Sequence, residues 1–333
     1  MMKRMLTLLA ALVLCTSCTA LPAEERAFAV ALAIGGEAGA WEMHARIPTY
    51  QTGGGYATVT GEGDSLSAAL AALDAASPMQ LHLGQLRLLV FSADLARGKE
   101  FALALGEITA RHDLRMEAKP AITEADMKSL MDALKPATGA RLSKSLDVLM
   151  ETRAEQGTVI AAPLSEILLM GERQSPVLLN ISLDGQEASL SGCWPIGTDG
   201  KAQGPLSPEE TQLLSLMLGR MKTGTLSLAE GTIRITSAKT EVSLEGPTLQ
   251  NAAVRLMLRC NASSLSDAAV SQAAATACLG VLNKLSGMGS DALGLGRQAL
   301  RHAQDMAQWH DMNWPQRYRE IEWSVSVGAQ PAA

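Results

Sequence analysis

Between Phe28 and Ile34 the chain alternates large and small apolar side chains with no polar interruption: Phe28, Val30, Leu32 and Ile34 against Ala29, Ala31 and Ala33. Period-two alternation is a strand signal, and a strand without a polar face has to be covered on both sides. The segment therefore predicts an interior strand with one bulky and one small face, inside a sheet that carries packed material on each face.

Its neighbours extend that sheet. Trp41, Met43, Ala45 and Ile47 alternate with Glu42, His44 and Arg46, which predicts a half-exposed strand. Gly53-Gly54-Gly55 is a flexible connection into a third short strand from Tyr56 to Gly61, completing an antiparallel meander. Asp64 or Ser65 can cap a helix whose apolar face is Leu66, Ala69, Leu70 and Leu73. Leu86 to Phe91 is nearly all apolar, as a central strand requires. A helix over about residues 94–110 follows, then a strand over 116–122. Residues 123–171 are mostly helical, with Leu142, Leu146, Leu149 and Met150 on one face.

Pro176 introduces a strand over 177–183, and Asp184-Gly185 turns it into another over 187–194. Ser207-Pro208-Glu209-Glu210 is a capping box with proline at the first helical position. Strands follow over 224–228, 232–237, 241–244 and 254–260. Ser266 or Asp267 opens a long alanine-rich helix to Leu285, residues 287–296 break it, and a second helical stretch reaches Trp309. Ile321, Trp323, Val325 and Val327 mark a last strand. Strands come in runs with long helices between them, and no fixed-period repeat is visible. The fold class is α+β: mixed and antiparallel sheets with packed helices in two to three subdomains.

The chain opens with Lys3 and Arg4 ahead of an apolar run from Met5 to Cys15. That run is far shorter than the ~20 residues of a spanning helix, so it reads as a secretory signal. Leu14-Cys15-Thr16-Ser17-Cys18 resembles a lipobox, with Cys15 where leucine usually stands. Residues 1–17 would be the leader and Cys18 the lipidation site. Two or more acyl chains there would anchor the chain stably, at about 0.8 kcal/mol per buried methylene. The alternative is an ordinary secretory signal cut near Ala20 or Ala23. The remainder divides into 18–185 and 186–333.

Losing Lys3 and Arg4 with the leader takes the formal net charge from −6 to −8. An acidic chain with no basic block is not a nucleic-acid binder, and its surface would be repelled by anionic lipid. Cys193, Cys260 and Cys278 are odd in number and widely spaced. They form neither a disulfide framework nor a zinc pattern.

The order of elements and several short words resemble the C subunit of nutrient germinant receptors, the spore germination lipoprotein family. The resemblance runs through Cys18, the stretch from Arg26 to Gly35, and Gly61-Glu62-Gly63 followed by Ser65-Leu66. It continues through Leu86 to Phe91 with Asp94-Leu95-Ala96-Arg97-Gly98, Arg111-His112-Asp113 with Arg115, and Ser175-Pro176-Val177-Leu178-Leu179. The leucine-rich helix over 206–224 and the final tryptophan-containing helix and strand also fit. Thr19-Ala20-Leu21-Pro22 and Gln85 depart from the family pattern. The resemblance implies a non-catalytic assembly subunit held by lipid on Cys18 at the outer face of the inner spore membrane. Its partners would be the receptor's integral membrane subunits, and those subunits would hold most of the germinant recognition.

Of the remaining signals, none assembles a catalytic constellation. There is no His-Glu-x-x-His and no mature Cys-x-x-Cys, and the five histidines are scattered. His44 is placed on a polar strand face, His82 in a loop and His112 at a solvated helix end. Gly294-Leu295-Gly296-Arg297 mimics a dinucleotide fingerprint but follows a helix, so it reads as a break between helices. Arg87 in its apolar strand, and Arg111 with Asp113, are candidates for structural ion pairs. No cofactor or metal is implied, and a small-molecule ligand is left open. The reading from another class is a stand-alone solute-binding lipoprotein or envelope hydrolase.

Overall fold

The structure is a computed structural model, and it describes residues 25–49, 55–136, 140–246, 249–262 and 265–332. Cys18, the leader and Gly53-Gly54 lie outside the described residues.

The N-terminal unit is built on a seven-stranded sheet in the order β4-β3-β2-β6-β7-β8-β9. Its strands are β2 (Ala31–Glu37), β3 (Ala40–Thr49), β4 (Gly55–Gly63), β6 (Leu88–Ser92), β7 (Lys119–Thr123), β8 (Val177–Asp184) and β9 (Glu187–Pro195). The meander β2-β3-β4 is antiparallel, β2, β6, β7 and β8 run parallel, and β9 returns antiparallel. Strand β9 lies beyond residue 185 and closes this sheet at Pro195.

The interior strand behaves as its alternation requires. Leu32 and Ile34 face one core with α1 (Leu66–Ala76), α2 (Ala93–Arg97), α3 (Phe101–Thr109) and α6 (Leu164–Met170). Ala31 and Ala33 face the other core, where α4 (Met127–Ala133) and α5 (Leu142–Glu155) bring Met127, Leu130, Met131, Leu142 and Leu146. The small face lets α4 approach closely: a Cβ on Gly35 would fall 2.4 Å from the Met127 Cε. Ahead of Ala31 the expected alternation breaks: Val30 joins the core of Ala31 and Ala33, and Ala29 that of Leu32 and Ile34. Residues 26–28 leave the main sheet as β1 (Arg26–Phe28) and pair in parallel with β5 (Gln80–His82).

Several sequence expectations are corrected. Strand β3 is not half-exposed: His44 and Arg46 are 1% and 8% exposed, because α4 packs over the face they stand on and Thr60, Thr58 and Asp132 take their polar atoms. His82 sits in β5 rather than a loop, with its ring 5.3 Å from that of Phe28. The helix expected over 94–110 is two, broken at Gly98, whose N–H caps α2 through the Leu95 carbonyl. The strands expected over 232–237 and 241–244 are one, with a bulge between Ile235 and Ser237.

The C-terminal unit is a four-stranded sheet in the order β10-β11-β12-β13. Its strands are β10 (Gly224–Leu228), β11 (Gly231–Glu245), β12 (Asn251–Ala262) and β13 (Glu322–Pro331). β13 runs parallel to β12 and the other pairs are antiparallel. One face carries Val254, Leu256, Leu258 and Cys260 and packs against α7 (Pro208–Met217) and α8 (Asp267–Met288). Most of the alternate residues of β11 and β12 are exposed on the opposite face, with Ala253 buried and Ser243 and Glu245 half-buried among them. Three short helices, α9 (Leu295–Leu300), α10 (Met306–Asp311) and α11 (Trp314–Arg319), lead back to β13. They form an aromatic cluster in which the Trp309 and Trp314 rings stack 6.3 Å apart.

Candidate functional site

The two units meet where α8 ends. Gly289 closes that helix in the left-handed conformation (φ 64°), and Gly294 opens α9 in the same region (φ 72°). Between them lies Asp291, 1% exposed. Its backbone exchanges two hydrogen bonds with Ser175: the Asp291 N–H donates to the Ser175 Oγ at 3.0 Å, and the Ser175 N–H donates to the Asp291 carbonyl at 3.0 Å. Gln174 Nε2 donates to the Ala292 carbonyl at 2.8 Å, and the Arg297 guanidinium donates to Gln174 Oε1. The short segment ahead of β8 is thereby stitched to the loop between α8 and α9.

The Asp291 carboxylate accepts three donors: Leu295 N–H at 2.8 Å, Gly296 N–H at 2.6 Å and Trp314 Nε1–H at 3.1 Å. Burial pushes its pKa up to about 7, against the downward pull of those hydrogen bonds. This explains the sequence that mimics a dinucleotide fingerprint. The amides that would hold a phosphate in such a motif are already occupied by the protein's own carboxylate. Gly296 admits no side chain, since a Cβ there would lie 2.8 Å from both the Arg173 carbonyl and Trp314 Nε1.

Above this node opens a cleft of about 540 Å³. Phe101, Ala102 and Leu105 of α3 form one wall, Ile196 to Thr198 a second, and Trp309, Asn313 and Trp314 a third. The lining is mainly apolar, with the Asp291 carboxylate at its floor already engaged by three donors of the protein.

The remaining reactive side chains are placed as follows. His44 bonds Thr60 Oγ1 at 2.9 Å and the Glu42 carboxylate. His82 Nδ1 accepts the Gly84 N–H at 3.0 Å, while His112, His302 and His310 are exposed. Arg111 holds Asp113 through two hydrogen bonds of 2.9 and 3.0 Å, and Leu83 N–H adds a third at 3.2 Å. Burial pushes the Asp113 carboxyl up, but these bonds outweigh it and hold it below the usual range. Arg87 reaches a different partner, Asp147 on α5, at 3.3 Å. Cys193, Cys260 and Cys278 are buried free thiols, and burial pushes Cys193 and Cys278 up to about 12. Among the described residues no cluster suited to a metal ion is found, and no helix is long and apolar enough to cross a membrane. The structure thus brings together Arg111 and Asp113 as the sequence suggested. It adds the Asp291 node, whose only sequence signal was the glycine-flanked helix break. Cys18 cannot be placed, because it lies outside the described residues.

Residues 21–183 match the family described as spore germination protein N-terminal domain. Residues 196–330 match that described as spore germination B3/GerAC like, C-terminal. The search of curated proteins found no match. Among solved structures, the crystal structure of the GerBC protein resembles this chain with a TM-score of 0.57 at 16% identity. The superposition covers 91% of this chain and 97% of that one, so the mixed-sheet architecture is shared along nearly the full length of both. With both family segments matched in order, the chain belongs to the GerAC-like spore germination protein family.

Proposed function

We propose that this chain is the C subunit of a nutrient germinant receptor, lipid-anchored through Cys18 at the outer face of the inner spore membrane, with a non-catalytic role in assembly and signalling. The observation that carries this reading is the pair of family matches, over 21–183 and 196–330, on a fold shared with GerBC. The Asp291 node is consistent with it: the Asp291 backbone ties the two units through Ser175, while its carboxylate is engaged by two amides and an indole of its own unit. The integral membrane subunits of the receptor are the partners in this reading. The lipid on Cys18 would keep the acidic chain beside them against charge repulsion from the membrane.

Deletion of the gene and every paralogue in the source organism tests the reading. Spores that lose nutrient-triggered germination, and regain it when the wild-type gene is restored, are the expected result. Normal nutrient germination by the deleted spores would refute it. Co-purification of the chain with integral membrane subunits, with crosslinks between them, tests the assembly role directly.

A further inference from the structure

The face of the C-terminal sheet opposite α7 and α8 is polar, open and divided by charge. Cross-strand partners define its rows: Arg234 with Asn261, then Ser237 with Arg259 and Gln330, then Lys239 with Met257 and Gly328. The next rows are Glu241 with Arg255 and Ser326, Ser243 with Ala253 and Ser324, and Glu245 with Asn251 and Glu322. The first three rows carry the cations Arg234, Arg259 and Lys239 and no acid. The last three carry Glu241, Glu245 and Glu322, with Arg255 turned among them onto Glu245 at 2.7 Å. Arg234, Lys239, Glu241, Arg259 and Glu322 are all exposed, and none of them is in a salt bridge among the described residues. Along β11 alone the outward charges read cation, cation, anion, anion.

A face with this pattern is complementary to itself when turned end for end. A two-fold axis across the strands, between the Lys239 and Glu241 rows, sets Lys239 of each copy over Glu241 of the other. The same axis sets Arg234 over the Glu245 row. A uniformly anionic surface would be attracted by half of the face and repelled by the other half; a second copy satisfies both. At strand spacings of ~4.8 Å and ~3.4 Å per residue, the face spans about 40 Å by about 15 Å, roughly 600 Å² per copy. Roughly 1,200 Å² over both copies stands at the lower edge of specific interfaces. We propose that this open sheet face is an isologous docking surface for a second copy of the same chain, held by the crossed charge rows around Met257. The resulting dimer is weak and salt-sensitive, because exposed charges are screened within a Debye length. This inference stands apart from the receptor reading and does not depend on it.

Sedimentation velocity on the full chain in detergent micelles tests it. The wild type is expected to show a concentration-dependent monomer–dimer equilibrium at low salt that shifts to monomer at high salt. The variant Arg234→Glu/Lys239→Glu/Arg259→Glu and the variant Glu241→Lys/Glu245→Lys/Glu322→Lys should each associate at least about tenfold more weakly, since like charges then face each other. An equimolar mixture of the two should regain the dimer, because the reversed faces complement one another. Should either triple variant lose its native circular dichroism, the single exchanges Lys239→Glu and Glu241→Lys carry the same test at exposed positions. A wild type that stays monomeric throughout, a dimer indifferent to the exchanges, or a mixture that stays monomeric would each overturn the proposal.

Discussion

A carboxylate sealed from water has to find its hydrogen bonds inside the protein, and Asp291 finds three of them in two amides and an indole. Its pKa rises from 3.8 in the open chain to about 7 in the fold. Between those values the folded chain holds a proton that the unfolded chain has released. Stability from this group is therefore full below about pH 4, falls as pH rises, and levels off above about 7. Asp291→Asn removes that titration. The wild-type urea midpoint minus that of the variant should decrease from about pH 4.5 to about pH 7.5; a difference constant across that range counts against the assignment. At the other end of the chain, Cys18→Ala should leave an unprocessed precursor that takes up no labelled fatty acid. Normal cleavage of that variant would sink the lipidation reading.

At the level of elements, the helices that the sequence marked most clearly are those with complete caps. Ser207 accepts the Glu210 N–H at 3.2 Å, and Glu210 returns a bond to the Ser207 N–H at 2.8 Å. The same Glu210 holds Lys284 of α8 at 2.7 Å, so the cap also fastens α7 to its neighbour. Ser207→Ala should cost about 1 kcal/mol of stability, read as a lowered thermal midpoint with unchanged circular dichroism. A loss below the noise would mean that the Glu210 arm suffices. Where caps were weak, boundaries moved. Gly98 split a helix expected to be continuous, and the Ile235/Ser237 bulge hid the continuity of β11. Thr236, lifted out at that bulge, donates its hydroxyl to the Arg259 carbonyl at 3.1 Å, a bond no local pattern announces.

Across the whole molecule the two units share a hydrophobic core and buried hydrogen bonds. The Ser175–Asp291 exchange, the Cys193–Leu206 bridge and the Gln174–Ala292 bond all cross between the units. Trp194 and Trp314 are fully buried on opposite sides of this junction, so fluorescence reports both units. The wild type should unfold in urea as one transition. Asp291→Ala leaves three buried donors of the C-terminal unit unpaired, a loss of roughly 3 kcal/mol, while the backbone bonds to Ser175 across the junction remain. That variant should show its transition displaced to lower urea; an unchanged profile would show the carboxylate to be dispensable.

The interior strand from which the reading began illustrates what local sequence determined. From Ala31 to Ile34 its small and bulky faces alternate as the sequence placed them, because side-chain alternation is a property of the strand itself, while Val30 and Ala29 fall on the opposite faces from those expected. The meander, the central strand at Leu88–Ser92, the capped helices and the α+β class were legible for the same reason: each rests on periodicity or a cap within one segment. What the tertiary structure decided are the properties that depend on distant neighbours. His44 and Arg46 look solvent-facing in sequence and are buried because a helix some eighty residues later lies over them. Asp291 looks like an ordinary loop acid and becomes a buried carboxyl with a raised pKa because Ser175 and Trp314 arrive from far along the chain. Burial, and the shifted protonation that follows from it, belongs to the packed assembly of elements and not to any one of them.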